Sequence, residues 1–279
     1  MDGADAAQAA TVVADAGLGV AVDVARLGGM TNRNFRVATA SAMFHVRLPG
    51  AGTDAYIDRS VEAHNARRAA ELGLNCEVLR LDTDGTMVCA WVDGEVLGPE
   101  HLATRPERLE QAARMLWRLH TGAEHFAGRF DPLAIIDRHR AALVAVPAGV
   151  DELISNVAAF DLGGPLAPCH NDPWSMNFVW FESGVVLVDW EYSAMNDPAW
   201  DLAHLSVESG LAAADHGRLL RAYCGGDPPA ALRRRVDLLR GVTDVVWGLW
   251  ALVQHADGND ATDFPTYAVE RFERAPSWW

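Results

Sequence analysis

The sequence predicts an α+β fold in two lobes. A small β-rich lobe with one main helix covers residues 1–92, and a larger, mostly helical lobe covers 93–279. Three observations carry this expectation. Period-2 alternation recurs in short runs between residues 22 and 92. Helical patterns dominate beyond about residue 98. The length of 279 residues suits one large or two smaller units, taking ~150 residues per domain as a guide. With 50% hydrophobic residues, 10 Trp and 9 Phe, the chain can bury a sizeable core.

The elements follow in order. Residues 5–16 read as a short helix. Strand-like pattern runs from about Val22 to Leu48, with Phe35-Arg36-Val37, a polar turn and then Met43–Leu48, which Pro49-Gly50 ends. Alternation puts Phe44, Val46 and Leu48 on one face and Met43, His45 and Arg47 on the other. Residues 57–72 read as a helix, Leu79–Asp82 and Thr86–Val92 as strands, and Asp93-Gly94 as a turn, so the lobes join near 90–98. Thr104-Arg105-Pro106-Glu107 is a capping-box helix start, with Leu109, Ala112, Ala113 and Leu116 following on one face.

Composition restricts the chemistry. All 23 basic residues are Arg, and there is no Lys. A Schiff-base lysine and a P-loop lysine are thereby excluded, and any site that needs a fixed cation must use the planar guanidinium. With 38 Asp and Glu the net charge is -15, which disfavours nucleic-acid binding and suits a cationic ligand. Arg233-Arg234-Arg235 reads as a solvated helix face. The start of the chain lacks the basic region of a signal peptide, and no apolar run reaches the ~20 residues that span a bilayer. Four scattered Cys without C-x-x-C pairing fit a reducing compartment, so a cytoplasmic protein without membrane insertion is expected. The ten His lack zinc-site spacing.

The stretch richest in chemistry is Cys169-His170-Asn171-Asp172-Pro173-Trp174-Ser175-Met176-Asn177, followed by Val188-Asp189-Trp190-Glu191-Tyr192. The apolar runs Phe178–Phe181 and Val185–Val188 flank Glu182-Ser183-Gly184, which reads as a three-residue hairpin loop. If Phe181 pairs with Val185, Asn177 lies directly opposite Asp189, with Cβ atoms about 5 Å apart. Glu191 then follows on the same face. An amide oxygen beside a carboxylate suits Mg²⁺, and Asp172 in the incoming loop is placed to act as a base. A base Asp with Asn and Asp on the metal is the phosphoryl-transfer arrangement. Any one of these residues alone would read as a solvated loop group. Four polar groups in register do not. His170 reads as a structural brace of the loop.

H-x-D-x-x-x-x-N with a downstream hairpin Asp resembles the aminoglycoside phosphotransferase and choline kinase group, which has a protein-kinase-like bilobal fold. The string from Asp189 to Asp201 (DWEYSAMNDPAWD) resembles the choline/ethanolamine kinase branch, including its bacterial members. The likeness runs from about Leu27 to Arg274. It implies an ATP- and Mg²⁺-dependent transferase with Asp172 as base, Asn177 and Asp189 as metal ligands with Glu191 close by, and Asp201 bracing the loop.

The two-glycine segment Gly28-Gly29 serves equally as a plain turn or as backbone that approaches phosphate. The resemblance implies the second, with Thr31, Asn32 and Asn34 as donors. It also places Arg47 where this fold has its strand lysine, with Glu62 as partner, and makes Met87–Val92, including Trp91, the segment that meets adenine through its backbone. Trp247 and Trp250 share a helix face with Gln254, a pattern that serves core packing or a ligand wall. W-G-L-W-x-x-x-Q resembles the tryptophan motif of the choline kinase amine pocket. By the same likeness Tyr267 completes that aromatic cage, and Glu208 lies near the amine. Ala213 stands where a further cage tyrosine is expected, which weakens selection for trimethylammonium over a smaller amine. The implied substrate is a small cationic alcohol such as choline or ethanolamine. The rival readings are an aminoglycoside or other amino-sugar phosphotransferase, and a catalytically silent pseudokinase.

Overall fold

The computed structural model describes residues 3–50, 52–53, 56–122 and 125–279. The chain forms two compact units. The first comprises the residues up to Glu95 together with Val179–Tyr192, and the second comprises Val96–Phe178 and Ser193–Trp279. The hairpin Phe178–Phe181/Gly184–Leu187 thus joins the first unit almost whole, although it lies late in the sequence. No helix among the described residues is long and apolar enough to cross a membrane.

In the first unit, α1 (Gly3–Asp15) precedes a five-stranded antiparallel sheet. Its strands are β1 (Ala21–Arg26), β2 (Arg33–Thr39), β3 (Met43–Leu48), β4 (Val78–Leu81) and β5 (Met87–Ala90), in the spatial order β1-β2-β3-β5-β4. The helix α2 (Arg59–Glu71) lies between β3 and β4 in sequence. Asp58 caps α2 by accepting hydrogen bonds from the N–H groups of Ser60 and Val61. The parity of β3 is as expected. Phe44, Val46 and Leu48 join Phe35, Val37 and Val88 in a core closed by Ala9, Val12 and Val13 of α1. Arg47 projects from the opposite face and pairs in register with Met87 of β5 and Asn34 of β2.

The second unit is helical: α3 (Pro99–Leu102), α4 (Pro106–Gly122), α5 (Pro132–Ala142), α6 (Val150–Ala158), α7 (Pro198–Glu208), α8 (Ala213–Cys224), α9 (Ala230–Ala256) and α10 (Phe264–Arg274). The long helix α9 is its axis, against which α5, α7 and α10 pack. Gly248 permits the close α9–α10 approach, since a Cβ there would lie 2.6 Å from the Phe272 ring. A short ladder pairs Ala167–Cys169 with Ala194–Asn196 and sets the start of the Asp172 loop beside the start of α7. Arg235 departs from the solvated face expected of it. Its guanidinium meets Asp197 at 2.7 Å and donates to the carbonyls of Asp161 (2.6 Å) and Leu162 (2.7 Å), fastening α9 to the cap of α7.

Candidate active site

The first unit carries a buried ionic network centred on Arg47, whose side chain is 1% exposed. Its Nη1 is 2.5 Å from Glu62 Oε1, and its Nε and Nη2 donate to the carbonyl of Gly85 in the β4–β5 turn. Parity on β3 and the first turn of α2 bring these two charges together. Burial lowers the Arg47 pKa, but the charges of Glu62 and Glu191, the hydrogen bond to Glu62 and the charge of Asp189 outweigh it. The guanidinium is therefore held more firmly protonated than usual.

Sequence reasoning missed Arg59. Its Nη1 meets Glu62 Oε2 at 2.8 Å and Glu191 Oε2 at 3.3 Å, and its Nη2 donates to Thr53 Oγ1. The one available signal was its i,i+3 spacing to Glu62 just inside a capped helix start. The expectation for Glu191 is a carboxylate close to the metal. It is buried and accepts from Asn32 Nδ2 (3.0 Å) as well as from Arg59. Two guanidinium groups thus face two buried carboxylates, a balanced arrangement that limits the desolvation penalty.

Asp189 is the more exposed acid of this group, 35% exposed, and lies 3.5 Å from Arg47 Nη1. It has φ 65°, and with Asn171 (φ 69°) it is one of two non-glycine residues in the left-handed region among those described. The expected ladder contact between Asn177 and Asp189 does not form. The hairpin loop is two residues, Glu182-Ser183, because Gly184 already begins the second strand. That strand ends at Leu187, before Asp189, and Asn177 closes a 3₁₀ turn over Ser175–Asn177. Both residues therefore lie outside the paired strands.

The glycine segment is held by its own side chains. A Cβ on Gly29 would fall 2.6 Å from the carbonyl oxygen of Asn32, so glycine is required there. Asn34 Nδ2 donates to the Gly28 carbonyl at 3.1 Å, and Asn32 bridges Glu191 and the N–H of Gly50. Both amides, expected as phosphate donors, make these contacts within the protein. Thr31 follows Gly29 on this segment. Trp91 leaves β5 with its N–H on the Met43 carbonyl.

In the second unit the Asp172 loop is built on Asp201. The fully buried Asp201 carboxylate accepts the N–H groups of His170 (2.9 Å) and Asn171 (2.8 Å) and lies 3.0 Å from His120 Nε2. Burial raises its pKa, but the hydrogen bond and charge of His120, the charge of His170 and the backbone N–H together hold it below the usual carboxylate range. Asn171 is fixed in its left-handed conformation by Asn196 Nδ2 on its side-chain oxygen and Trp200 Nε1 on its carbonyl. The His170 ring is fully buried, and its Nδ1 accepts from the Asp172 N–H at 3.3 Å.

Asp172 is 22% exposed. Asn177 Nδ2 donates to the Asp172 carbonyl at 2.9 Å and stands 3.5 Å from Asp172 Oδ2. These contacts use Nδ2 and not the amide oxygen of Asn177. Asn177 in this unit and Asp189 in the first each carry a hard oxygen donor, the chemistry that Mg²⁺ takes.

An aromatic wall stands on α9 and α10. Trp247 and Trp250 meet edge to face at 5.5 Å, and Trp250 meets Tyr267 at 6.5 Å and Phe264 at 5.6 Å. Glu208 at the end of α7 is bound by Arg271, which also lies 4.1 Å over the Tyr267 ring and 3.1 Å from Asp244. Burial raises the Glu208 pKa, and the charges of Arg271 and His204 bring it below its ordinary value. Arg271, with no sequence signal beyond its place four residues after Tyr267, thus joins the acidic and aromatic parts of this wall. His204, one turn before Glu208 on α7, lies between two recognised residues. Its Nε2 is 2.9 Å from Asp172 Oδ1, and its ring meets Trp247 at 5.3 Å.

Residues 24–239 match the family model described as "Phosphotransferase enzyme family". A choline/ethanolamine kinase family protein from Mesorhizobium loti has 39% identity and a TM-score of 0.79, over 92% of this chain and 87% of that one. The choline kinase LicA of Streptococcus pneumoniae has 27% identity and a TM-score of 0.83, over 96% and 97% of the two chains. Human ethanolamine kinase 1 is 25% identical over 88% of this chain and 65% of its own length. The match of the family model over most of the chain, and 39% identity to a relative covered nearly throughout, show that this chain belongs to the phosphotransferase enzyme family, in its choline/ethanolamine kinase branch.

Proposed function

We propose that the protein is a kinase that transfers the γ-phosphoryl group of ATP to the hydroxyl of choline or a related amino alcohol such as ethanolamine, with Mg²⁺ as cofactor. The observation that carries this reading is the placement of Asp172, through His204, beside Trp247 of the aromatic wall: a base and an amine-binding surface in one unit. In this role Asp172 accepts the hydroxyl proton as the oxygen attacks phosphorus. Trp247, Trp250 and Tyr267 attract the ammonium group by about 0.5–2 kcal/mol per ring. Arg47, held in place by Glu62, presents fixed positive charge to the nucleotide phosphates, and Thr31 and the Gly28-Gly29 backbone cover them. The Trp91 backbone meets the base. Asn177 and Asp189 are the residues that would hold Mg²⁺, which when bound neutralises phosphate charge. Glu191 supports Arg59 and Arg47 and lies close to the metal position. Phosphoryl transfer depends mainly on positioning and charge, so an ordinary carboxylate base suffices.

The names of the relatives support an amino-alcohol acceptor, and the aromatic wall favours it over a polyhydroxylated amino sugar. The test is ATP consumption with choline, ethanolamine and a set of aminoglycosides. Turnover of an amino alcohol is expected. Turnover of aminoglycosides alone would replace this reading with the amino-sugar one, and absence of any turnover would favour a silent ligand-binding protein.

A further inference from the structure

His204 is a buried histidine with no structural explanation of the ordinary kind. Its side chain is 1% exposed, and neither ring nitrogen has a hydrogen-bond partner among the described residues. Buried polar groups are nearly always satisfied, and one left open requires a reason. Its surroundings supply one. Nε2 stands 2.9 Å from Asp172 Oδ1, within reach of a hydrogen bond but off its axis. Trp247 meets the ring at 5.3 Å and limits its rotation. Asn177 Nδ2 approaches the other carboxylate oxygen, Oδ2, at 3.5 Å.

We propose that His204 is a positioning residue for the base Asp172. Its Nε2–H donates to Oδ1 when the acceptor is bound, and so directs Oδ2 to the substrate hydroxyl. The two oxygens of a carboxylate are equivalent until a neighbour distinguishes them, and a base must stand within about 2.6–3.2 Å of the proton it takes. Such bonds are commonly misaligned before substrate binds and tighten in the reactive complex. The placement also explains the T-shaped contact with Trp247: one side chain joins the amine wall to the base, so seating the ammonium group sets the imidazole. The step involves no new chemistry. The hydroxyl proton passes to Asp172 Oδ2 as the O–P bond forms and ADP leaves.

This inference rests on the proposed kinase reading, and its test separates the two. Steady-state kinetics are measured for wild type, His204→Phe, His204→Gln and Asp172→Ala with the best acceptor of the panel. Phe keeps an aromatic ring against Trp247 but has no donor. Gln brings an amide N–H to about the reach of Nε2. Loss of alignment by about 1 Å costs on the order of 100-fold. His204→Phe is therefore expected to lower kcat by roughly that factor with the KM for ATP unchanged, and His204→Gln to stay within ~10-fold of wild type. Wild-type kcat in His204→Phe overturns the inference, as does a His204→Gln variant as slow as Asp172→Ala. Since Gln is the smaller disturbance, its result decides the matter even if the Phe variant fails to fold. A wild type that phosphorylates no acceptor overturns the kinase reading and this inference together.

Discussion

At the residue scale, permanent charge is buried in pairs. Arg47 and Arg59 face Glu62 and Glu191, and Arg271 faces Glu208 and Asp244. Removing one member leaves an uncompensated charge, which costs about 3–5 kcal/mol. Arg47→Met is therefore expected to destabilise the protein by that amount, read as a lower midpoint in urea with an unchanged m-value. A midpoint equal to wild type would mean that the network adds nothing to stability. Arg47 itself was legible, because period-2 parity on a short strand assigns it a face and the family likeness names its partner. Arg59 was not. An arginine in the first turn of a helix reads as a solvated residue until the fold brings Glu191 to it from 132 positions away.

At the element scale, helices were easier to read than hairpins. The i,i+3 spacing of Trp247 and Trp250 was sufficient to place them on one face of α9, and the helix read over 57–72 is α2 at Arg59–Glu71. The hairpin before Asp189 was misread by one residue of loop, and a one-residue change in register moves every predicted opposite pair. Its left-handed Asp189 had no sequence mark, since D-W-E-Y looks like a continuing strand. The glycine between the two tryptophans carries an element-scale prediction. Gly248→Ala sets a methyl group against Phe272 and displaces α10, which holds Tyr267. A loss of about 1–3 kcal/mol is expected, together with a raised KM for the acceptor and an unchanged KM for ATP. An unchanged acceptor KM would show that the α9–α10 distance does not shape the amine wall.

At the scale of the whole molecule, stability should respond to acid in two stages. Burial, assisted by Arg47, lowers the His45 pKa from 6.5 to about 4, and burial assisted by Arg138 and Arg240 does the same to His139 and His216. Between pH 6.5 and about 4 the unfolded chain therefore binds more protons than the folded one, so stability falls as pH falls through this window. Asp201 and Glu208 have lowered pKa values in the folded state. Their contribution is complete above the unfolded values of 3.8 and 4.5 and is lost as pH falls through the lower folded ones. Thermal midpoints at pH 7.5, 5.5 and 4.5 should decline in that order, and equal midpoints would show that the three histidines are not buried as neutral rings. One helix ties this behaviour to the chemistry. α7 carries Asp201, which holds the Asp172 loop, His204 beside Asp172, and Glu208 bound to Arg271. Each added residue turns a helix by roughly 100°. A single insertion or deletion between Asp201 and Glu208 would therefore misdirect the Asp172 loop, His204 and Glu208 together.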